Sequence, residues 1–200
     1  MAARRSSTDL ALIAGFAALI AACALLPAIQ VGAGLVPITL QTFAVLLAGA
    51  VLGARRGFFA VLLYVAAGAA GLPVFSGGAA GLAVLAGPTG GYLIGFPLAA
   101  ALCGFLVERL PRRSVATSVP LIFLAGLVSS ALCIHTLGIA GLVLRADLTW
   151  AEAFDVDKVF WIGDAIKNLA MAVVATAVHR AFPDLLPQRS RAPQGEPAPA

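Results

Sequence analysis

The stretch "GDAIKNLAMAVVATAVHRAF", residues 163–182, reads as a membrane helix that carries two opposite charges at its start. Asp164 and Lys167 are three residues apart, so in a helix they share one face, with Cβ atoms about 5–6 Å apart. Asn168 adds a third polar group beside them. A charge embedded in a membrane costs about 2.5–3.5 kcal/mol on insertion scales. We therefore favour a ligand-binding role for the pair over a simple ion pair at a helix end.

The composition places the whole chain in the membrane. Hydrophobic residues make up 61% of the 200 residues and charged residues 11%, whereas a soluble domain is about half apolar and a quarter charged. The net charge of +4 does not indicate nucleic-acid binding, because no basic face is interleaved with aromatics.

The three cysteines lie far apart inside apolar runs. We interpret them as packing residues and expect neither a metal site nor a cofactor.

The apolar runs predict an all-α integral membrane protein with six transmembrane helices. The runs are residues 10–29, 38–53, 58–70, 92–107, 118–144 and 160–182. The second and third are short and predict a hairpin around a tight basic turn. The first run follows Arg4 and Arg5, and an alternative interpretation is a secretory or twin-arginine signal. Its length favours a retained helix. The predicted organisation is a cytoplasmic N-terminus (1–9), a membrane domain (10–182) and a disordered cytoplasmic tail (183–200).

The basic residues predict the orientation in the membrane. Nine of the 13 basic residues carry this prediction: Arg4, Arg5, Arg55, Arg56, Arg112, Arg113, Arg180, Arg189 and Arg191. With six spans, all of them fall on one side, and the positive-inside rule makes that side and both termini cytoplasmic. The opposite side receives residues 30–37, 71–91 and 145–157. We expect a multi-pass protein of the cell membrane.

Residues 71–91 predict a pocket on the outer side. The segment is rich in glycine and uncharged, and irregular backbone at membrane depth must be buried in protein or line a cavity. We expect it to cap an outward-facing pocket, with Phe75 and Tyr92 as walls and Gln41 pointing inward. Trp161 either joins this pocket or belongs to an interfacial aromatic belt.

These residues suggest a small, mostly apolar ligand with two hydrogen-bonding ends. Asp164 would accept from N–H donors, and Lys167 would donate to a carboxylate or carbonyl. His135 has no obvious carboxylate partner nearby in the sequence, so we give it little weight as a site residue. A membrane enzyme that uses the pair for acid–base chemistry is disfavoured, because nothing else resembles a nucleophile or a metal site.

Three motifs resemble one transporter family. They are "VPITLQTFAVLLAGAVLG" (36–53), "GLPVFSGGAAGLAVLAGPTGGYLIGF" (71–96) and "GDAIKNLAMA" (163–172). Together they resemble the BioY family, the biotin-specific substrate-binding (S) components of energy-coupling factor (ECF) transporters, over about residues 10–182. The resemblance implies a six-helix, loop-capped binding subunit for biotin. It also implies a transmembrane coupling subunit and two cytoplasmic ATPase subunits as partners.

The resemblance also implies roles for particular residues. Asp164 and Lys167 match the family's polar pair on the last helix, Tyr92 and "GPTGG" match its third-loop region, and Gln41 matches the end of its first-loop motif. The full set of expected ligand-binding residues is Asp164, Lys167, Tyr92, Gln41, Phe75, Trp161 and Asn168.

Small residues on the first helix are implied to meet the coupling subunit. Ala14, Ala18 and Ala22 lie four residues apart on one helix face, a spacing that lets helices approach closely. Alanine is common in this chain, however, so chance spacing is an alternative explanation.

The chain contains no G-x-x-x-x-G-K-[ST] phosphate loop. We therefore expect a non-catalytic subunit, with ATP hydrolysed by its partners. Two alternatives remain open: a stand-alone secondary carrier for biotin or a related vitamin, and an S component for another small molecule.

Overall fold

The computed structural model describes residues 2–31, 36–111 and 118–186 and is almost wholly helical. The elements in chain order are α1 (Ala2–Leu25), β1 (Ile29–Val31), β2 (Val36–Ile38), α2 (Gln41–Leu52), α3 (Ala54–Ala69), α4 (Leu82–Ala86), α5 (Gly90–Arg109), α6 (Val119–Ser129), a π-helical segment (Ser130–His135), α7 (Thr136–Arg145) and α8 (Trp150–Ala181). The last residues of the chain and the 112–117 connection, with Arg112, Arg113, Arg189 and Arg191, lie outside the described residues.

Four helical stretches of the described chain are long and apolar enough to cross a membrane. They are Ser7–Leu25, Gly90–Arg109, Val119–Arg145 and Trp150–Ala181. The predicted second and third spans form the shorter helices α2, with 12 residues, and α3, with 16. At 1.5 Å per residue these extend about 18 and 24 Å, less than the hydrocarbon core of about 30 Å.

The turn between α2 and α3 differs from the prediction. Gly53 separates the two helices with φ 85°, a backbone conformation that glycine adopts without steric cost. Arg55 and Arg56 therefore lie in the first turn of α3 and not in the connection. The predicted hairpin of two short helices is present, with a single glycine as its hinge.

The bounds of the first and last helices were predicted wrongly. Helix α1 starts at Ala2 and ends at Leu25, just before Pro27, which disfavours helical backbone in the residue that precedes it. Helix α8 starts at Trp150, inside the segment predicted as an acidic outer loop. Its start is a capping box, in which the Thr149 hydroxyl accepts from the Glu152 amide and the Glu152 carboxylate accepts from the Thr149 amide.

A small β-hairpin departs from the all-α prediction. Strands β1 and β2 pair antiparallel with Ile29 opposite Ile38. The residues between them, 32–35, lie outside the described part. The hairpin joins α1 to α2 and brings Thr39 to the start of α2.

Residues 71–91 are mostly irregular, as predicted. They contain a short 3-10 turn at Ser76–Gly78 and the five-residue helix α4. The Phe75 ring packs directly on Gly68 of α3, and the Gly81 amide donates to the Gly68 carbonyl at 2.8 Å. Phe75 is 1% exposed, so the segment is anchored to the helical body.

Helix α2 is the centre of the packing. It lies against α3, α5 and α8, and ten of its residues are buried. Gly49 allows close contact between α2 and α5, because a Cβ at that position would collide with the backbone of Ala100 in α5. Glycine here supports close helix approach.

Candidate ligand pocket

One cavity of about 460 Å³ opens beside the β-hairpin. The end of α1, strand β2, the starts of α2 and α5, the 71–91 segment, the π-helical segment and α8 all contribute to its wall. The volume lies in the range of about 300–1,000 Å³ that is typical of small-molecule sites. The walls are mostly apolar, with polar groups concentrated near α8.

Asp164 and Lys167 lie together on the cavity wall. The Lys167 Nζ atom is 2.5 Å from Asp164 Oδ1 and donates to the Thr39 carbonyl at 3.0 Å. The Thr42 hydroxyl donates to the same Asp164 oxygen at 2.9 Å. The sequence suggested that the pair lies at the start of the helix. Since α8 begins at Trp150, the pair instead lies several turns inside it.

His135, which received little weight in the sequence analysis, and Asp157, which was not considered there, are further functional candidates. His135 lies on the cavity wall, and its Nδ1 atom is 3.0 Å from both carboxylate oxygens of Asp157. Its Nε2 atom is 3.4 Å from Asp164 Oδ2. His135 has no carboxylate partner nearby in the sequence, but two carboxylates of α8, distant in sequence, lie beside its ring.

A signal for Asp157 was present in the sequence. Asp157, Trp161, Asp164 and Asn168 recur at spacings of four, three and four residues, which puts them on one face of a single helix. Because α8 was predicted to start at residue 160, Asp157 was assigned to a loop.

Tyr92, Gln41 and Phe75 lie on the cavity wall. The Tyr92 hydroxyl donates to Asp157 Oδ1 at 2.9 Å. The Gln41 amide donates to the Tyr64 hydroxyl at 2.5 Å, and the Phe75 ring packs edge-on against Tyr64, with 5.7 Å between centroids. Hydrogen bonds and aromatic packing thus fix the positions of these three side chains.

Trp161 and Asn168 do not line the cavity. Trp161 is 47% exposed, and its indole N–H donates to Asp157 Oδ2 at 2.8 Å. The Asn168 amide donates to the Asp164 carbonyl at 2.9 Å. Both residues hydrogen-bond to residues of the site and do not themselves face the cavity.

Ala14, Ala18 and Ala22 are all exposed on α1. The opposite face of that helix, with Ala17, Ile20 and Ala24, is buried against the body of the protein. The three alanines therefore form an outward-facing strip of small side chains, called here the α1 alanine strip.

The fold and the cavity define a multi-pass helical membrane protein with a small-molecule pocket. The sequence matches the BioY family over residues 1–184, and the chain belongs to that family.

Relatives with known names agree with this assignment. A biotin transporter BioY of Rhizobium etli is 43% identical over 187 residues, which cover 92% of this chain and 100% of the relative. A biotin transporter BioY of Rhodobacter capsulatus is 42% identical, with 89% of this chain and 96% of the relative covered. A crystal structure of the S-component for biotin from an ECF-type ABC transporter superposes with a TM-score of 0.83, at 27% identity, and covers 90% of this chain and 95% of that chain.

Proposed function

We propose that this chain binds biotin and serves as the substrate-binding subunit for its uptake by an ECF-type ABC transporter. The observation that carries the proposal is the Asp164–Lys167 pair on the wall of an otherwise largely apolar cavity of about 460 Å³. Biotin has a ureido ring with two N–H donors and a carbonyl, an apolar thioether ring and a carboxylate tail. Asp164 is an acceptor for N–H groups, and Lys167 is a donor for a carbonyl or carboxylate.

Ligand binding and uptake test this function in two steps. The detergent-purified chain should bind biotin in a calorimetric titration with one site per chain. Cells that express the chain with an ECF coupling subunit and its ATPases should take up biotin faster than cells without the chain. Uptake that is equally fast without the ATPases would favour the stand-alone carrier, and absence of biotin binding would contradict the proposal.

The proposed topology is six spans in residues 10–182, with both termini cytoplasmic and the cavity facing outward. Arg56 supports the common location of the termini. Its guanidinium is 2.8 Å from Asp9 Oδ1 near the start of α1 and donates to the Leu185 carbonyl beyond α8 at 2.9 Å. Asp9 and Leu185 therefore lie at the same end of the bundle, and the positive-inside rule predicts that this end is cytoplasmic.

Thiol labelling tests the orientation. In a chain whose three cysteines are replaced by alanine, a cysteine at Asp155 or Ser76 should react with an impermeant thiol reagent added to intact cells. A cysteine at Arg55, which is exposed as Asp155 is, should react only after permeabilisation. The reverse pattern would contradict the proposed orientation.

The α1 alanine strip is the proposed contact with the coupling subunit. Replacing Ala18 by Phe should abolish biotin uptake and leave biotin affinity in detergent unchanged, because the strip faces away from the cavity and a bulky side chain prevents close helix approach. Ala66→Phe on the exposed face of α3 is the matched control and should leave both quantities unchanged. Loss of binding in Ala18→Phe would instead indicate a role in folding.

A further inference from the structure

Two acidic and two basic side chains form a continuous row beside the cavity, buried except at Lys167, which is partly exposed. The row runs from Asp157 to His135, then to Asp164 and Lys167, with N···O distances of 3.0, 3.4 and 2.5 Å between successive members. Asp157 is completely buried, and His135 and Asp164 are 5% and 4% exposed. Water therefore screens these charges weakly, and their sum affects which ligands enter.

The position of His135 between two carboxylates favours a hydrogen on each ring nitrogen. Nδ1 faces Asp157, and Nε2 faces Asp164. A neutral imidazole has only one N–H, so its second nitrogen would direct a lone pair at a carboxylate oxygen. The imidazolium form donates to both. The indole ring of Trp161 lies against the His135 ring, with 5.2 Å between centroids, which also favours a cation.

A local change in helix geometry coincides with the position of His135 in this row. Residues Ser130–His135 are π-helical, and the Thr136 hydroxyl donates to the Ala131 carbonyl five residues earlier at 2.9 Å. Such π-helical turns inside α-helices often occur at functional sites. His135 is at the end of this turn and lines the cavity, while its Nδ1 atom reaches Asp157.

The protonation of His135 sets the net charge of the row. With an imidazolium, two negative and two positive groups cancel. With a neutral imidazole, one negative charge is left beside the cavity and would repel an anionic ligand. The Tyr92 hydroxyl donates to Asp157 and adds no charge to the row. Within the described residues, the charged groups on the cavity wall are His135, Asp164 and Lys167.

We infer that His135, held by Asp157, is a specificity-determining residue that makes the pocket neutral and so lets it accept a carboxylate-bearing ligand. The inference rests on the proposed function, since it concerns the selection of biotin over its uncharged derivatives. The positive charge of Lys167 is balanced by Asp164. The positive charge of His135 is balanced by Asp157.

Comparison of biotin with its uncharged methyl ester tests this role. Calorimetric titration of both ligands gives the ratio of their affinities for each variant. His135→Gln keeps a polar side chain but carries no charge, so the ratio should shift by about tenfold or more toward the ester. The matched control is His179→Gln. His179 is the chain's other histidine, is also buried, and contacts the Ala50 carbonyl at 2.9 Å outside the cavity, so its replacement should leave the ratio unchanged.

An equal loss of affinity for both ligands in His135→Gln would overturn the inference, because it would indicate a structural role without charge selection. Unchanged affinities for both ligands would overturn it as well. If the original chain fails to bind biotin, the proposed function fails, and this result is distinguishable because it does not depend on any variant.

A spectroscopic measurement covers the case in which His135→Gln does not fold. In the His179→Gln chain labelled with 15N-histidine, His135 is the only histidine. Both ring nitrogens should show the 15N signals of protonated nitrogens at neutral pH. The signals of a neutral ring, with one protonated and one bare nitrogen, would overturn the inference even without a binding measurement.

Discussion

Replacing Asp164 by Asn and Lys167 by Met in the same chain should weaken biotin binding by at least about 100-fold. A hydrogen bond to a charged group is worth about 1.5–3 kcal/mol, and the double variant removes two such groups from the cavity wall, where each 1.4 kcal/mol is about a factor of ten. Each single variant should also bind more weakly, but it leaves the other charge without its partner and loses stability as well. The double variant avoids this complication.

Helix α8 contains a matched control for this experiment. Asp155 and Lys158 have the same residue types, the same spacing and the same 2.5 Å N···O distance as the pocket pair, but their side chains are 64% and 56% exposed. Asp155→Asn with Lys158→Met should leave biotin affinity unchanged. Near-normal affinity in the well-folded Asp164→Asn, Lys167→Met variant would show that the pocket pair is only a structural ion pair.

The second large effect concerns the crossing of α2 and α5. Gly49→Ala should destabilise the folded protein by about 1–3 kcal/mol, the usual cost of an overpacked core, because the new methyl group would collide with the backbone of Ala100. A collision with backbone is costly, since it can be relieved only by moving a whole helix. Thermal unfolding in detergent should show a lower midpoint than that of the original chain.

Gly15→Ala is the control for this substitution. Gly15 lies inside α1, and a Cβ at that position would have no atom within 4 Å. Alanine is favoured over glycine in helices by about 1 kcal/mol, so this variant should unfold at an equal or higher temperature. Equal midpoints for Gly49→Ala and Gly15→Ala would contradict the packing of α2 against α5.

Much of the fold follows from composition and local pattern. The apolar runs correspond to α1, α2, α3, α5, the 119–145 helix and α8, because long apolar segments free of charges are stable as helices in a membrane. The irregular backbone of residues 71–91 follows from their glycines, four of which have positive φ. The spacing of Asp164 and Lys167 determines that they share a helix face, which is a property of helix geometry alone.

Helix bounds and partners between helices do not follow from local pattern. The polar residues 150–158 were assigned to a loop because hydropathy cannot distinguish a loop from a helix that continues beyond an apolar run. The capping box at Thr149 and Glu152 is a local signal that corrects this assignment. With α8 extended to Trp150, Asp157 shares a face with Asp164.

The role of His135 depends on contacts that no local pattern contains. Its partners lie 22 and 29 residues away along the chain, at Asp157 and Asp164. They meet His135 at the end of the π-helical turn Ser130–His135, where the tertiary structure brings this helix and α8 together. The amino-acid order determined which segments form apolar helices and which helix face carries the charged pair, since both depend on neighbouring residues. The packing of the 119–145 helix against α8 determined the charge balance of the cavity, since electrostatic interactions depend on distance in space and not on separation in sequence.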